Sequence, residues 1–314
     1  MLDAQPQCKT DTIGLRCGFF EVKNMVYFLI AFAVCIVLFI GAFVLNAVMF
    51  RPFRTKAPVQ ESDGHIVYFT SGRNRLTGLV LNEEGTKGLI ILAHGMGTDI
   101  RYHLPELHYF AEQGYKVFAF EYSGYRGSTG HFFGFSQAAL DVKGAIDFMD
   151  DGTLPVILAG HSMGAYAVCA ALQCTSHSVR KVIAYAPFHS PREAIAEYAK
   201  GFVKRGKLLS GIIMGMQWVI FGKNANLSAA EGLIRSGTPA LILQGSEDEE
   251  VPCDGCSLYA HREELSHANA VFRLIRDPES NRHMTVVRKS RTYEVNRDTM
   301  AFVDDFLKLI PCSP

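Results

Sequence analysis

From Met25 to Phe50 the chain reads MVYFLIAFAVCIVLFIGAFVLNAVMF, with no charge and a single Asn, Asn46. About 20 such residues in a helix cross the hydrocarbon core of a bilayer. A core helix of a water-soluble domain seldom stays apolar on every face for so long. A cleaved signal would be shorter and end in small residues; here Arg51-Pro52-Phe53-Arg54 follows. The pattern predicts a retained, single-pass transmembrane helix over 25–50, between an N-terminal tail (1–24) and a linker (51–63). Lys9, Arg16 and Lys23 before it balance Arg51, Arg54 and Lys56 after it. Loop charge therefore leaves open which side of the membrane the rest of the chain occupies.

Beyond the linker the pattern becomes that of a water-soluble domain, 64–314. Ile66–Phe69 and Leu76–Leu81 are short and alternate, as an antiparallel edge would. Six continuously apolar runs follow at 88–93, 116–120, 155–159, 181–185, 239–243 and 270–275. Strands covered on both faces read this way. Amphipathic segments of helical length separate most of them. In 137–149, Ala139, Leu140, Val142, Ala145, Ile146 and Met149 recur with a 3.6-residue rhythm. Segments 104–113 and 296–309 are two more helices. Such alternation predicts an α/β domain with a mostly parallel central sheet and helices on both faces. Ligands in such sheets sit at the carboxyl ends of strands.

One of those ends carries Gly160-His161-Ser162-Met163-Gly164, a G-x-S-x-G pattern. The pattern alone is weak, but here a strand precedes it and helix-forming residues resume at Met163. A sharp strand-to-helix turn would expose the Ser162 hydroxyl and aim free helix N–H groups at developing negative charge. Serine needs a base, and the base a carboxylate to orient it. The loop after 239–243 carries four acids, Glu247 to Glu250, and the loop after 270–275 carries His283. Both leave the sheet on the same edge as Ser162, so chain order is serine, acid, histidine. His261 and His267 are the alternative bases. They lie in and after the amphipathic stretch Ser257–Leu265, away from a strand end, and read as surface residues. Backbone donors for an oxyanion are expected at Met163 and, in the His94-Gly95-Met96-Gly97 turn, at Met96.

These motifs together resemble the α/β-hydrolase superfamily, and within it membrane-anchored serine hydrolases similar to monoacylglycerol lipases and lysophospholipases, often grouped with serine aminopeptidases. The matching stretches are HGMG at 94–97, EYSGYRGSTG at 121–130, GHSMG at 160–164 and QGSEDEEVP at 244–252. The resemblance runs from about His65 to Leu309. It implies an α/β-hydrolase fold, and its G-x-x-D-x-x-V-P acid loop implies Asp248 as the acid of a Ser162–Asp248–His283 triad. Two departures stand out: Arg282 precedes His283 where the family often has Gly, in a segment (276–291) longer and more charged than usual, and Tyr122-Ser123 stands where the family usually has a polar or basic residue. The resemblance also implies a helical cap, here about 188–237. Its centre, Leu208–Phe221, is nearly all apolar yet too short to span a bilayer. Met214, Trp218 and Phe221 become candidate acyl-binding residues, with a packed helix as the other reading.

Charge and cysteine content narrow the remaining classes. Lys plus Arg equals Asp plus Glu, 31 each, so no basic surface points to nucleic acid. Cys253 and Cys256 form one C-x-x-C without a second pair at zinc spacing. They are read as packing at the start of a helix after the acid loop. No metal and no cofactor is expected; the expected partners are the lipid bilayer and a hydrophobic ester. A peptidase or amidase with the same triad, or a non-catalytic membrane-tethered binding protein, is the alternative.

Overall fold

The computed structural model describes residues 12–52, 60–200 and 206–309. The first eleven residues and most of the linker, 53–59, lie outside the described residues. So do Lys9, Arg54 and Lys56, on which part of the charge comparison rests. The chain divides into two compact units, Met1–Leu45 and Asn46–Pro314.

The first unit is helical. Helix α1 runs Thr12–Met49, so the helix begins well inside the expected tail. Its stretch Asn24–Met49 has a mean hydropathy of 3.1 and is the one described helix long and apolar enough to cross a membrane. A signal sequence near an N-terminus has the same character. The side chains from Met25 to Ile40 are exposed.

The second unit begins earlier than expected, at the last helical turn. Asn46 and Phe50 are buried in it. Asn46 Nδ2 donates to the Phe133 carbonyl at 2.9 Å, and Gln217 Nε2 donates to Asn46 Oδ1 at 2.6 Å. Phe50 packs edge-on against Phe135, ring centroids 5.0 Å apart.

Eight strands form one sheet in the order β1-β2-β4-β3-β5-β6-β7-β8. β1 (His65–Ser71) and β2 (Asn74–Leu81) make the antiparallel edge, joined by a two-residue turn with Gly72 at φ 57°. Glycine takes that conformation without a Cβ penalty. β3 (Leu89–Ala93), β4 (Lys116–Phe120), β5 (Val156–His161), β6 (Val179–Tyr185), β7 (Ala240–Gly245) and β8 (Ala270–Ile275) are parallel to one another. β3, β5 and β7 are buried at every residue, as strands covered on both faces must be.

Helices α2 (Leu104–Glu112), α3 (Phe135–Met149), α4 (Met163–Ala171), α7 (Ala229–Ser236) and α8 (Arg297–Lys308) accompany the sheet. α3 buries Ala138, Ala139, Val142, Ala145 and Ile146, the predicted stripe. The expected cap holds α5 (Pro191–Lys200) and α6 (Gly206–Phe221), while α7 within the same segment packs on α4.

Between β7 and β8 the expected helix is replaced by a run of turns. Its backbone bonds close three residues back, as from His261 N to Leu258 O and Glu264 N to His261 O, rather than four. The Ser257 hydroxyl accepts from Ala260 N and competes with a helical start. Cys253 and Cys256 are free thiols within these turns. Cys256 is buried, which pushes its thiol pKa up to about 12.

Candidate active site

β5 ends at His161, and Ser162 follows with φ 54° and ψ −116°. A non-glycine residue there costs on the order of 1–3 kcal/mol and persists only where its surroundings enforce it. Ser162 N donates to the Tyr185 carbonyl at 2.8 Å, and Tyr166 N returns to the Ser162 carbonyl at 3.0 Å to open α4. The two motif glycines have steric causes. A Cβ on Gly160 would lie 2.5 Å from the Gly164 backbone, and one on Gly164 would lie 2.0 Å from the Ala93 carbonyl oxygen. No side chain fits either gap, so the chain can turn from strand to helix here only with glycine on both sides.

The His94–Gly97 turn leaves β3 and lies against this elbow. A Cβ on Gly95 would stand 2.9 Å from His161 Nδ1 and 3.4 Å from the Ser162 Cβ. Met96 therefore follows a residue packed on Ser162, and Met163 is the first residue of α4, whose N–H has no intrahelical acceptor. His94 braces the turn. Its Nδ1 contacts the Gly95 carbonyl at 2.8 Å and its Nε2 lies 3.3 Å from Glu121. Glu121 also accepts from Ile100 N at 3.0 Å.

The acid and histidine loops meet. His283 Nδ1 lies 2.8 Å from Asp248 Oδ2, and both side chains are buried. Asp248 also accepts from Gln244 Nε2 (2.9 Å), Glu250 N (3.0 Å) and Val251 N (2.8 Å). Glu247, Glu249 and Glu250 are exposed, so the structure separates Asp248 from its acidic neighbours. His283 is tied to the elbow through its own backbone. His161 Nε2 lies 2.9 Å from the His283 carbonyl, and the two rings stand 5.0 Å apart. Burial holds His161 well below the usual histidine pKa, so it is neutral and donates through Nε2.

The long segment after β8 is anchored by charge. Arg288 Nε donates to Glu106 Oε1 at 2.7 Å, Arg288 Nη2 also pairs with Glu106, and the guanidinium lies 4.2 Å from the Tyr102 ring centre. Burial would raise Glu106, but His103 and Arg288 outweigh it and hold its carboxyl low. Tyr102 OH donates to the Met284 carbonyl at 3.0 Å. Two elements far apart in sequence thus fix the loop that carries His283.

Other expectations changed. His267 is exposed, but His261 is half-buried in a cluster with Glu193 rather than on the surface. The three acyl-binding candidates do not share one wall. Met214 is buried, Trp218 is 62% exposed, and Phe221 lines a cavity with Thr70, Asn74, Gln137 and Leu140, none of them elbow residues. Helix α6 turns the side carrying Ile213, Met216 and Gln217 inward, and Trp218 falls outside that stripe. Tyr198 was missed altogether. It lies on α5 within electrostatic reach of the Ser162 side chain, and burial raises its pKa. Nothing in PREAIAEYAK marks that tyrosine; only the return of α5 over the sheet edge does.

The model of the serine aminopeptidase S33 family matches residues 84–228, just under half of the chain. That match takes in the elbow and the His94–Gly97 turn but stops before Asp248 and His283. Solved structures extend the likeness. The Pyrococcus furiosus esterase Pf2001 superposes with a TM-score of 0.63 at 18% identity, covering 82% of this chain and 98% of its own. Est1E from Butyrivibrio proteoclasticus, solved with ferulic acid, gives 0.56 at 15% identity, with 77% and 99% covered. Mouse alpha/beta hydrolase domain-containing protein 10 gives 0.53 at 17%, with 78% and 98% covered. Comparison with curated proteins found no match. With its sheet order and strand-to-helix elbow at Ser162, the chain has the α/β-hydrolase fold.

Proposed function

We propose that this protein is a membrane-anchored serine hydrolase that cleaves carboxylic esters with hydrophobic acyl groups. The observation that carries the reading is the strained Ser162 elbow beside a buried Asp248–His283 pair. Strain of this kind is retained at functional sites. Asp248 accepts the Nδ1 proton of His283 and so leaves Nε2 as the base. Ser162 Oγ adds to the ester carbonyl as His283 takes its proton. The backbone N–H groups of Met96 and Met163 face the oxyanion that forms. His283 then protonates the leaving alcohol, and an acyl-enzyme remains on Ser162. Water, deprotonated by His283, releases the acid and restores the serine.

Two features support an apolar substrate drawn from a bilayer. Asn24–Met49 is apolar enough to span one, and α6 exposes Ile212, Trp218 and Val219. Each CH2 kept out of water is worth about 0.8 kcal/mol. The test is labelling by a fluorophosphonate probe, then kinetics on esters of increasing acyl length with the detergent-solubilised chain. Labelling lost in Ser162→Ala and kcat/KM rising from acetate to medium chains are the expected results. Unchanged labelling in Ser162→Ala removes the nucleophile. A steady fall with chain length removes the lipid reading. The family's description favours one second reading, a peptidase with the same triad. Faster turnover of aminoacyl amides than of any ester would establish it.

A further inference from the structure

A second cluster of histidine and carboxylate groups sits at the base of α5, outside the machinery just described. His189 is held there by its backbone: its N–H donates to the Cys256 carbonyl at 2.8 Å, and its carbonyl accepts from Ala229 N at 3.0 Å. Glu193 is in the first turn of α5. His261 and Glu264 come from the turns between β7 and β8. His189 Nδ1 lies 3.0 Å from Glu193 Oε1, and His261 Nε2 lies 2.8 Å from Glu193 Oε2. The two imidazoles stack with centroids 4.0 Å apart and planes 19° from parallel. One donor atom from each of His189, Glu193 and His261 falls within 4.8 Å of the others.

Distances alone would describe ion pairs, but the alignment is wrong for hydrogen bonds. Both ring nitrogens of His189 are out of contact with water, and neither makes a well-directed hydrogen bond. A shared proton has to lie near the N···O line. A metal ion lies off that line, about 2.0–2.2 Å from each ligand atom with a near-tetrahedral angle. Such a centre puts its ligand atoms roughly 3.3 Å apart; the two histidine–Glu193 distances, 3.0 and 2.8 Å, fall just short of that, and all three ligand atoms lie within 4.8 Å of one another. Glu264 puts a carboxylate near the other nitrogen of each ring, where a small rotation on metal binding would let it accept a hydrogen bond. Its Oε2 is 3.2 Å from His189 Nε2 and 3.7 Å from His261 Nδ1. A carboxylate there orients the ring and raises its basicity. Burial favours neutral His189, but Glu193 and Glu264 together raise its proton affinity. The same negative field attracts a dication.

We propose that His189, Glu193 and His261 bind one divalent transition-metal ion, Zn2+ before others, with Glu264 bracing both imidazoles and water completing the shell. Two imidazoles and a carboxylate suit Zn2+ far better than Mg2+, which prefers oxygen ligands in an octahedron. The ion ties α5 to the turns after the acid loop. Because α5 also carries Tyr198, the ion steadies the helix that brings that tyrosine near Ser162, without itself touching the reacting atoms. The spacing gave no hint of this: His189 and Glu193 are one helical turn apart, but His261 comes from beyond β7.

The test is calorimetric titration of the full chain in detergent, stripped with EDTA, against Zn2+ and separately Mg2+. One Zn2+ per chain at micromolar Kd or tighter, a higher Tm with Zn2+, and no heat with Mg2+ are expected. His189→Ala and His261→Ala should each weaken Zn2+ at least tenfold, and Glu264→Gln about tenfold to a hundredfold. His261 is partly exposed, so far-UV circular dichroism of His261→Ala checks folding. Should that variant misfold, Co2+ substitution in the wild-type chain decides, an intense tetrahedral visible spectrum being expected. Absence of Zn2+ binding at 100-fold excess over protein overturns the proposal. So does binding that survives both histidine variants, or that is lost instead in Cys253→Ser/Cys256→Ser, which would mark thiol capture. None of these readouts uses ester turnover, so their failure is separate from any failure of the hydrolase reading.

Discussion

Helices α4 and α6 are written in nearly the same alphabet but are used in opposite ways. All nine residues of α4 (MGAYAVCAA) are buried, between the sheet and α3 on one side and α7 on another. Helix α6 (GKLLSGIIMGMQWVIF) buries Ile213, Met214, Met216 and Gln217 and exposes Ile212, Trp218 and Val219. Small residues explain the first case, because Gly and Ala let backbones approach closely on every side. Bulk explains the second, since a helix carrying Trp, Ile and Val all round cannot be enclosed by so short a cap. Burial on every face therefore follows from side-chain size as much as from polarity. An apolar helix too bulky to enclose leaves an exposed apolar surface, which the proposed function assigns to a lipid phase.

The comparison is sharpest at the start of α4. Ser162→Ala removes the group that the elbow presents and should lower ester turnover on the order of 10^4-fold or more. Its circular dichroism and Tm should stay close to wild type. A variant that loses Tm instead would mean the hydroxyl serves packing. Gly164→Ala tests the enclosure itself, because its Cβ would lie 2.0 Å from the Ala93 carbonyl oxygen. A contact that short moves backbone, so a loss of about 3 kcal/mol or more, at the upper end for overpacking, is expected in urea unfolding. A neutral result would mean that α4 has room to shift.

On α6 the inward side should matter less, and in a different way. Gln217 donates to Asn46 Oδ1 and to the Phe133 carbonyl, both at 2.6 Å and away from water. Gln217→Leu leaves Asn46 Oδ1 without its donor and takes one of two donors from the Phe133 carbonyl, and should cost roughly 1–3 kcal/mol. Restoring stability with Asn46→Leu in the same chain would show that the pair acts as a unit. Acid should act on the whole domain through His103 and His161, both held by burial below the ordinary histidine pKa. The unfolded chain then takes up protons that the folded one refuses. Their contribution to stability is complete above pH ~6.5 and is lost as pH falls below it. A Tm that is flat from pH 7 to 5 would contradict that. The outward side comes last. Trp218→Ser should change stability by no more than ~0.5 kcal/mol, yet weaken association with phosphatidylcholine vesicles in chains lacking residues 1–45. Unchanged vesicle binding would leave the exposed face of α6 without a lipid role.

Hydrophobic period alone located all eight strands and the helices at 104, 137 and 296, because burial on two faces, one face or none leaves different repeats in a chain. Gly160 and Gly164 announced the elbow for a similar reason: a backbone gap that admits no Cβ can be filled by one residue type only. Chain order alone puts the four-acid loop and His283 at neighbouring strand ends, since parallel strands return their loops to one edge. The resemblance, not the pattern, chose Asp248 among four acids, and the buried hydrogen bonds around it give the physical reason. Other matters were settled only by tertiary structure. Tyr198, Arg288 with Glu106, and His189 with His261 come together across dozens or hundreds of residues with no local spacing to betray them. The sides of α6 and the turns in place of a helix after Cys253 depend on what lies alongside, and a linear pattern records how much a segment must bury but not against which neighbour.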